Sequence, residues 1–307
     1  MSLQKTVNDI RDLRIQGATA VARVGIQALV EVGQSARRGG LDFMHKIKSA
    51  IDDLADARPT EPLLHNGLNY ILFSLQQNDI SDLSIAKATL DQAGGTYLQL
   101  MATGEQKLID AGQSLVKKNY KVLTHCHSSA VEKILVQAYQ KKSFSVFNSE
   151  TRPLLQGHIT ATNLLTNGLP VTMVADSALA WVASRASGKD LAMNMVIVGA
   201  DSISWAGDIY NKIGSYSLAL AAHTAKIPFY VAAIGLKMDA DDKIEIELRD
   251  DEEIWPDRPE GLKILNLAFD RVPAKYITGI ITEFGIVKPG QLKNKVAKTY
   301  PWLLQKN

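Results

Sequence analysis

The sequence is short of the features that assign a function at a glance. It holds one cysteine, Cys126, which excludes an intramolecular disulfide framework and a cysteine-rich zinc module. Neither charge sign is in real excess, 34 basic residues facing 32 acidic ones for a formal net charge of +2. That balance offers no field for a nucleic acid or an anionic membrane surface, although a small anion needs only a few local cations. The apolar runs, such as Met193 to Ala200, are far too short to cross a bilayer. The opening residues bring Asn8, Asp9, Arg11 and Asp12 where a signal peptide would be apolar, so a cytoplasmic protein is expected. No G-x-G-x-x-G follows a β-rich run and no G-x-x-x-x-G-K-[ST] occurs, which argues against a nicotinamide dehydrogenase and a P-loop nucleotidase. Internal repeats and low-complexity tracts are missing too.

What remains is ordinary for a globular enzyme: 307 residues, 46% apolar and 21% charged, long enough for roughly two domains. Residues 1–118 read as helical. Val7, Ile10 and Leu13 keep helical spacing, a break at Gln16-Gly17-Ala18-Thr19 precedes an apolar helix through Val30, and helices follow over Leu41–Leu54, Leu63–Leu75 and Leu83–Val116. Arg58-Pro59-Thr60-Glu61-Pro62 interrupts them, since proline disfavours helix at itself and just before. Gly94-Gly95 predicts a kink or break in the last helix. Over 119–307 short β-rich runs (Val122–Thr124, Ser143–Phe147, Val171–Val174, Met195–Val198, Phe229–Val231) alternate with helical stretches. The alternation predicts an α/β fold: a helical N-terminal domain followed by a Rossmann-like domain with a parallel sheet covered on both faces.

In such sheets ligands bind beyond the carboxyl ends of the strands, which directs attention to His125-Cys126-His127-Ser128, Glu150-Thr151-Arg152, Asp176-Ser177 and Asp201. A lone cysteine is most often a small inert apolar residue. Cys126, however, follows a strand and precedes a helix, where a helix N-terminus and two flanking histidines would favour a thiolate. Three adjacent side chains leaving a strand alternate in direction, so the His-Cys-His triplet is not expected to chelate one metal ion, and no cofactor is implied. Asp201, at the end of Met195–Ala200, is expected to be partly desolvated with a raised pKa, as suits a general acid. Asp176 reads more as a helix cap. Asn211-Lys212-Ile213-Gly214 sets a cation before a helix beginning near Ser215, where helix-terminal N–H groups would help to bind a phosphate. Arg58, Arg152 and Lys237 are further cations beside loops.

Read together, Arg14–Thr19, Leu123–Ser128, Glu150–Gly157, Gly199-Ala200-Asp201, Asn211–Gly214, Phe269–Pro273 and Ile281–Gly285 resemble one family, from about Asp9 to Pro289. It contains ribose-1,5-bisphosphate isomerase, methylthioribose-1-phosphate isomerase and the regulatory α, β and δ subunits of translation initiation factor 2B. The resemblance implies a catalytic cysteine at Cys126 and a catalytic aspartate at Asp201, positions at which the regulatory α subunit differs. The Glu150–Gly157 stretch and Gly207-Asp208 look more like the methylthioribose enzyme. The His-Ser after Cys126, the compact length and Lys237 look more like the ribose-bisphosphate enzyme. Two residues depart from the family pattern: Gln16 stands where an arginine usually opens the phosphate loop, and Phe284 where an arginine usually follows Glu283.

The function so implied is conversion of α-D-ribose 1,5-bisphosphate to D-ribulose 1,5-bisphosphate, a step of nucleotide salvage. Cys126 is expected as the base near C2 and Asp201 as the acid or proton shuttle. Gln16, Gly17, Ala18, Thr19, Arg58, Asn211, Lys212 and Lys237 would hold the phosphates, with Gln156 near the sugar. The alternatives are isomerisation of methylthioribose 1-phosphate, or a non-catalytic regulator that senses sugar phosphates or nucleotides. Relatives assemble through the α/β domain, so a homo-oligomer, dimer or hexamer, is implied.

Overall fold

The computed structural model describes residues 2–242 and 244–304. The chain forms two compact units, one of residues 2–103, 236–242 and 294–304, the other of residues 104–235 and 244–293. The division falls at 103/104, inside one continuous helix (Leu83–Gln113) whose last turns lie in the second unit, rather than at 118/119, and two later segments return to the first.

The helical unit holds α1 (Leu3–Arg11), α2 (Ala18–Gln34), α3 (Gly40–Ala57), α4 (Pro62–Gln76) and most of α5 (Leu83–Gln113). The side chain of Ser2 caps α1 by accepting the Lys5 N–H. Pro62 opens α4, where its missing N–H costs nothing. Ile10, Ile26, Leu29, Phe43, Ile47, Leu54, Leu64 and Ile71 are fully buried, each worth about 1.5–3 kcal/mol of transfer free energy. The break expected at Gly94-Gly95 does not occur, and α5 runs through it. A Cβ at Gly94 would lie 2.6 Å from Val30 Cγ2, so this glycine allows α2 and α5 to approach closely and does not end a helix.

The second unit is built on a seven-stranded sheet. Its strands are β1 (Lys121–Thr124), β2 (Ser145–Ser149), β3 (Val171–Val174), β4 (Met195–Gly199), β7 (Phe229–Ala232), β9 (Gly279–Thr282) and β10 (Gly285–Val287). A smaller antiparallel sheet pairs β5 (Ser202–Ile203), β6 (Ile209–Lys212) and β8 (Phe269–Val272). The large sheet has the order β10-β9-β7-β4-β1-β2-β3 and is parallel except for β10. Helices α6 (Ser129–Tyr139), α7 (Gln156–Thr166), α8 (Leu179–Ala183), α9 (Ser215–Thr224) and α10 (Leu292–Thr299) complete the chain. The strands read from sequence are β1, β2, β3, β4 and β7. Coverage on both faces holds for β4 and β9, buried throughout, and fails at β3, an edge strand whose Thr172 and Met173 are exposed. Among the described residues no helix is long and apolar enough to cross a membrane.

Candidate active site

Strand order reverses between β1 and β4: β2 and β3 extend to one side of that pair, β7 and β9 to the other. Such a switch point leaves a crevice at the carboxyl ends of its two strands, because the loops leaving them diverge. Cys126 follows β1 and Asp201 follows β4, so the fold brings the two residues singled out in the sequence to this crevice. Gly199 makes the approach possible, since a Cβ there would meet Ser128 Oγ at 2.7 Å.

Cys126 has a left-handed backbone, φ 65°. Its N–H donates to Thr151 Oγ1 at 3.0 Å and its carbonyl accepts from Thr160 Oγ1 at 2.9 Å. Thr151 Oγ1 lies 3.1 Å from Ser149 Oγ, which is 2.6 Å from His125 Nδ1, while His125 Nε2 is 2.8 Å from the Ile213 carbonyl. On the other side His127 Nδ1 is 3.1 Å from Thr160 Oγ1 and 3.8 Å from Glu132 Oε2.

The thiol environment differs from the one expected. Burial pushes the Cys126 pKa up to about 11; the Lys212 ammonium and the His127 N–H pull the other way, and the negative charges of Asp201 and Asp176 push it up further. Neither histidine adds the expected positive charge, because burial lowers the pKa of both. Helix α6 starts three residues later, and Ser128 rather than Cys126 caps it, accepting the Val131 N–H. The resting group is therefore a neutral thiol.

The phosphate site expected before α9 is also different. The Gly214 and Tyr216 N–H groups donate to the Asp270 carboxylate, at 2.7 Å and 3.0 Å, so an internal anion occupies the helix start. Burial raises the Asp270 pKa to about 6 against the pull of the Tyr216 and Gly214 N–H groups. Asn211 Nδ2 donates to Ser215 Oγ at 2.8 Å, and Ser215 donates to the Lys212 carbonyl at 2.7 Å. Lys212 Nζ sits 5.1 Å from the Phe269 ring centroid. What this loop offers an anion is the Lys212 charge, and not the free helix terminus.

Gln156 opens α7, and its Oε1 is buried without a hydrogen-bond partner, an acceptor available to a sugar hydroxyl. A Cβ at Gly157 would fall 1.8 Å from the Ser149 carbonyl oxygen, so only glycine lets α7 begin so close to the end of β2. Asp176 caps a neighbouring loop: its carboxylate accepts the Thr151 and Arg152 N–H groups at 2.9 and 2.6 Å.

The remaining expected ligands belong to the helical unit. Gln16 and Gly17 are exposed ahead of α2, which has no capping side chain; Ala18 is buried and Thr19 half-buried. Gln16 Nε2 donates to the Leu13 carbonyl at 2.9 Å. Helix α4 tethers both expected cations of this unit. His65 Nε2 meets the Arg58 carbonyl at 3.0 Å, and Asn66 Nδ2 donates to the carbonyls of Leu236 and Met238 on either side of Lys237, at 2.8 and 2.9 Å. Arg58 Nε lies 3.7 Å from Glu61 Oε1. Among the described residues no cluster of three His, Cys, Asp or Glu side chains is arranged for a metal.

Ser149, Thr160 and Asp270 were not singled out as site residues in the sequence. A serine, a threonine and an aspartate carry no local mark of partners 24, 34 and 56 positions away.

Residues 14–289 match the model of the initiation factor 2 subunit family. The chain is 35% identical to methylthioribose-1-phosphate isomerase of Pelotomaculum thermopropionicum, over 91% of this chain and 81% of that one. It is 33% identical to ribose 1,5-bisphosphate isomerase of Methanocaldococcus jannaschii, over 98% and 96% respectively. The crystal structure of the Pyrococcus horikoshii translation initiation factor eIF-2B superposes with a TM-score of 0.79 at 27% identity, covering 94% of this chain and 98% of that one.

Proposed function

This chain belongs to the initiation factor 2 subunit family, and from that premise we propose that it is a sugar-phosphate isomerase acting on α-D-ribose 1,5-bisphosphate to give D-ribulose 1,5-bisphosphate. One observation carries the reading. A thiol and a carboxylate stand at the carboxyl ends of the two switch-point strands, near enough for Asp201 and Lys212 to act on the Cys126 pKa. A regulator that only binds its ligand has no need of such a pair.

Phosphorylation of the anomeric oxygen blocks ring opening through a free aldehyde, so the C1–ring oxygen bond must break with a proton delivered to that oxygen. A thiol near pKa 11 enters with its proton, which favours Cys126 as the donor and the Asp201 carboxylate as the acceptor, the reverse of the order expected from sequence. Asp201 removes the C2 proton as the C1–ring oxygen bond breaks, leaving a C1=C2 enol. Returning that proton to C1 while the thiolate takes the 2-hydroxyl proton gives the C2 ketone and restores both groups. Lys212 would hold a phosphate and stabilise the transient thiolate. Asn211 and Gln156 are assigned to phosphate and sugar, and Gln16, Gly17, Ala18, Thr19, Arg58 and Lys237 to phosphate, on family resemblance.

The test is turnover of ribose 1,5-bisphosphate and of methylthioribose 1-phosphate, side by side, with Cys126→Ser and Asp201→Asn. Each substitution should cost about a thousandfold or more in kcat; full activity in either removes that residue from the mechanism. Preference for the methylthio substrate would favour the second reading, to which the 35% identity to a methylthioribose-1-phosphate isomerase lends weight. Binding without turnover would favour a sensor. We assign a homo-oligomer, dimer or hexamer, formed through the α/β unit, on the exposed Ile159 and Leu165 of α7 and Met173 of the edge strand β3, against which α7 packs. A monomer in sedimentation at working concentration would refute it.

A further inference from the structure

The hydrogen bonds around Cys126 can be given directions. The Cys126 N–H can only donate, so Thr151 Oγ1 accepts it. The Ile213 carbonyl can only accept, so the His125 Nε2 facing it carries a hydrogen. Burial keeps His125 neutral, its Nδ1 is then the bare nitrogen, and Ser149 donates to it. Ser149 has spent its proton, so the contact between the two hydroxyls runs from Thr151 to Ser149. On the other side the Cys126 carbonyl takes the Thr160 proton, which leaves Thr160 to accept from the Nδ1–H of His127. Every hydrogen in the two chains then has one place, and His125 and His127 are opposite tautomers.

We propose that these two histidine-terminated chains are the positioning device of the active site. They grip the Cys126 peptide by its N–H and its carbonyl, hold it in the left-handed conformation, and so fix where the thiol is presented. Thr151, Ser149, His125, Thr160 and His127 act through Cys126 as positioning residues and are not catalytic themselves. One end of the first chain is the Ile213 carbonyl, beside Lys212, so the same bonds tie the thiol's loop to the loop of its neighbouring cation. The catalytic part of this proposal rests on the isomerase reading; the positioning part does not.

Because Cys126 is the sole cysteine, alkylation reports on it alone and needs no substrate. Thr151→Val and Thr160→Val keep the side-chain shape and delete one grip each; Thr151→Ser and Thr160→Ser restore the hydroxyl. Iodoacetamide alkylation at about pH 8 should quicken about tenfold or more in each valine variant and return to within about threefold of native in each serine variant. Turnover of ribose 1,5-bisphosphate should show kcat down by about tenfold or more in the valine variants, with KM within about twofold. Circular dichroism establishes which variants are folded, and either valine variant suffices for the test. Native alkylation in a folded valine variant overturns the proposal, and so does equal loss in the valine and serine partners. Altered alkylation together with no turnover in the wild type would uphold the positioning device and defeat the isomerase reading.

Discussion

A direct physical test of the site is the titration of Cys126 in the unmodified chain. Burial sets its pKa at about 11 against an ordinary 9.0. At about pH 8 the thiolate fraction is then ~10⁻³, compared with ~10⁻¹ for an unburied thiol, so alkylation should be about a hundredfold slower in the folded chain than in the chain unfolded in denaturant. The folded rate should climb about one decade per pH unit, with its midpoint near 11. Lys212→Met removes the ammonium that pulls this pKa down, so the midpoint should move further up. Folding raises this pKa, so the native state holds the proton more tightly. The corresponding stability is complete below about pH 9 and is lost as pH rises through about 11, by up to about 3 kcal/mol. Denaturant midpoints of wild type and Cys126→Ala, subtracted at each pH, isolate it. A midpoint at or below 9, or a Lys212→Met variant that titrates lower, would refute the burial argument and with it the order of proton transfer.

Two further outcomes are expected. Folding also raises the Asp270 pKa, from 3.8 to about 6, so its contribution to stability is present below about pH 4 and lost, by up to about 3 kcal/mol, as pH rises past 6; wild type minus Asp270→Asn should fall over that range, and a flat difference would show the carboxyl to be unperturbed. Gln16→Arg supplies a bidentate cation in place of an amide, an exchange worth about 1–3 kcal/mol; KM for the bisphosphate should drop about tenfold with kcat unchanged, whereas an unchanged KM would argue that Gln16 does not meet a phosphate.

Much of this architecture is legible in the sequence because it rests on periodicity. The helices of the first unit carry long apolar stripes, and β1, β2, β4 and β7 are short apolar runs between helices. The strands that escape notice, β5, β6, β8, β9 and β10, are two to four residues long, and β6 and β8 carry Asn211, Lys212, Asp270 and Arg271, so neither length nor alternation marks them. Gly94 misleads for a related reason: helix propensity counts the cost of a glycine but not the side chain of Val30 that needs the space. At the site, residue types and strand-end positions were readable for Cys126 and Asp201. The charge state was not, because a pKa depends on what surrounds the sulfur, and the Ser128 cap and the two desolvated histidines are known only once the loops close. Likewise nothing near Gly214 in the chain announces that Asp270 fills the helix start.

The backbone of Cys126 bears on the choice between enzyme and sensor. A left-handed conformation costs a residue with a Cβ about 1–2 kcal/mol, and such strain persists only where the surroundings over-determine it. Here they do, through Thr151 and Thr160 and the histidines behind them. A sensor needs cations and shape at this crevice, both of which would survive relaxation of the cysteine to an ordinary conformation. Only a reaction that needs the sulfur at one place, with its proton still on it, gains from holding a neutral thiol in a strained loop opposite a carboxylate. The strain therefore weighs toward proton transfer.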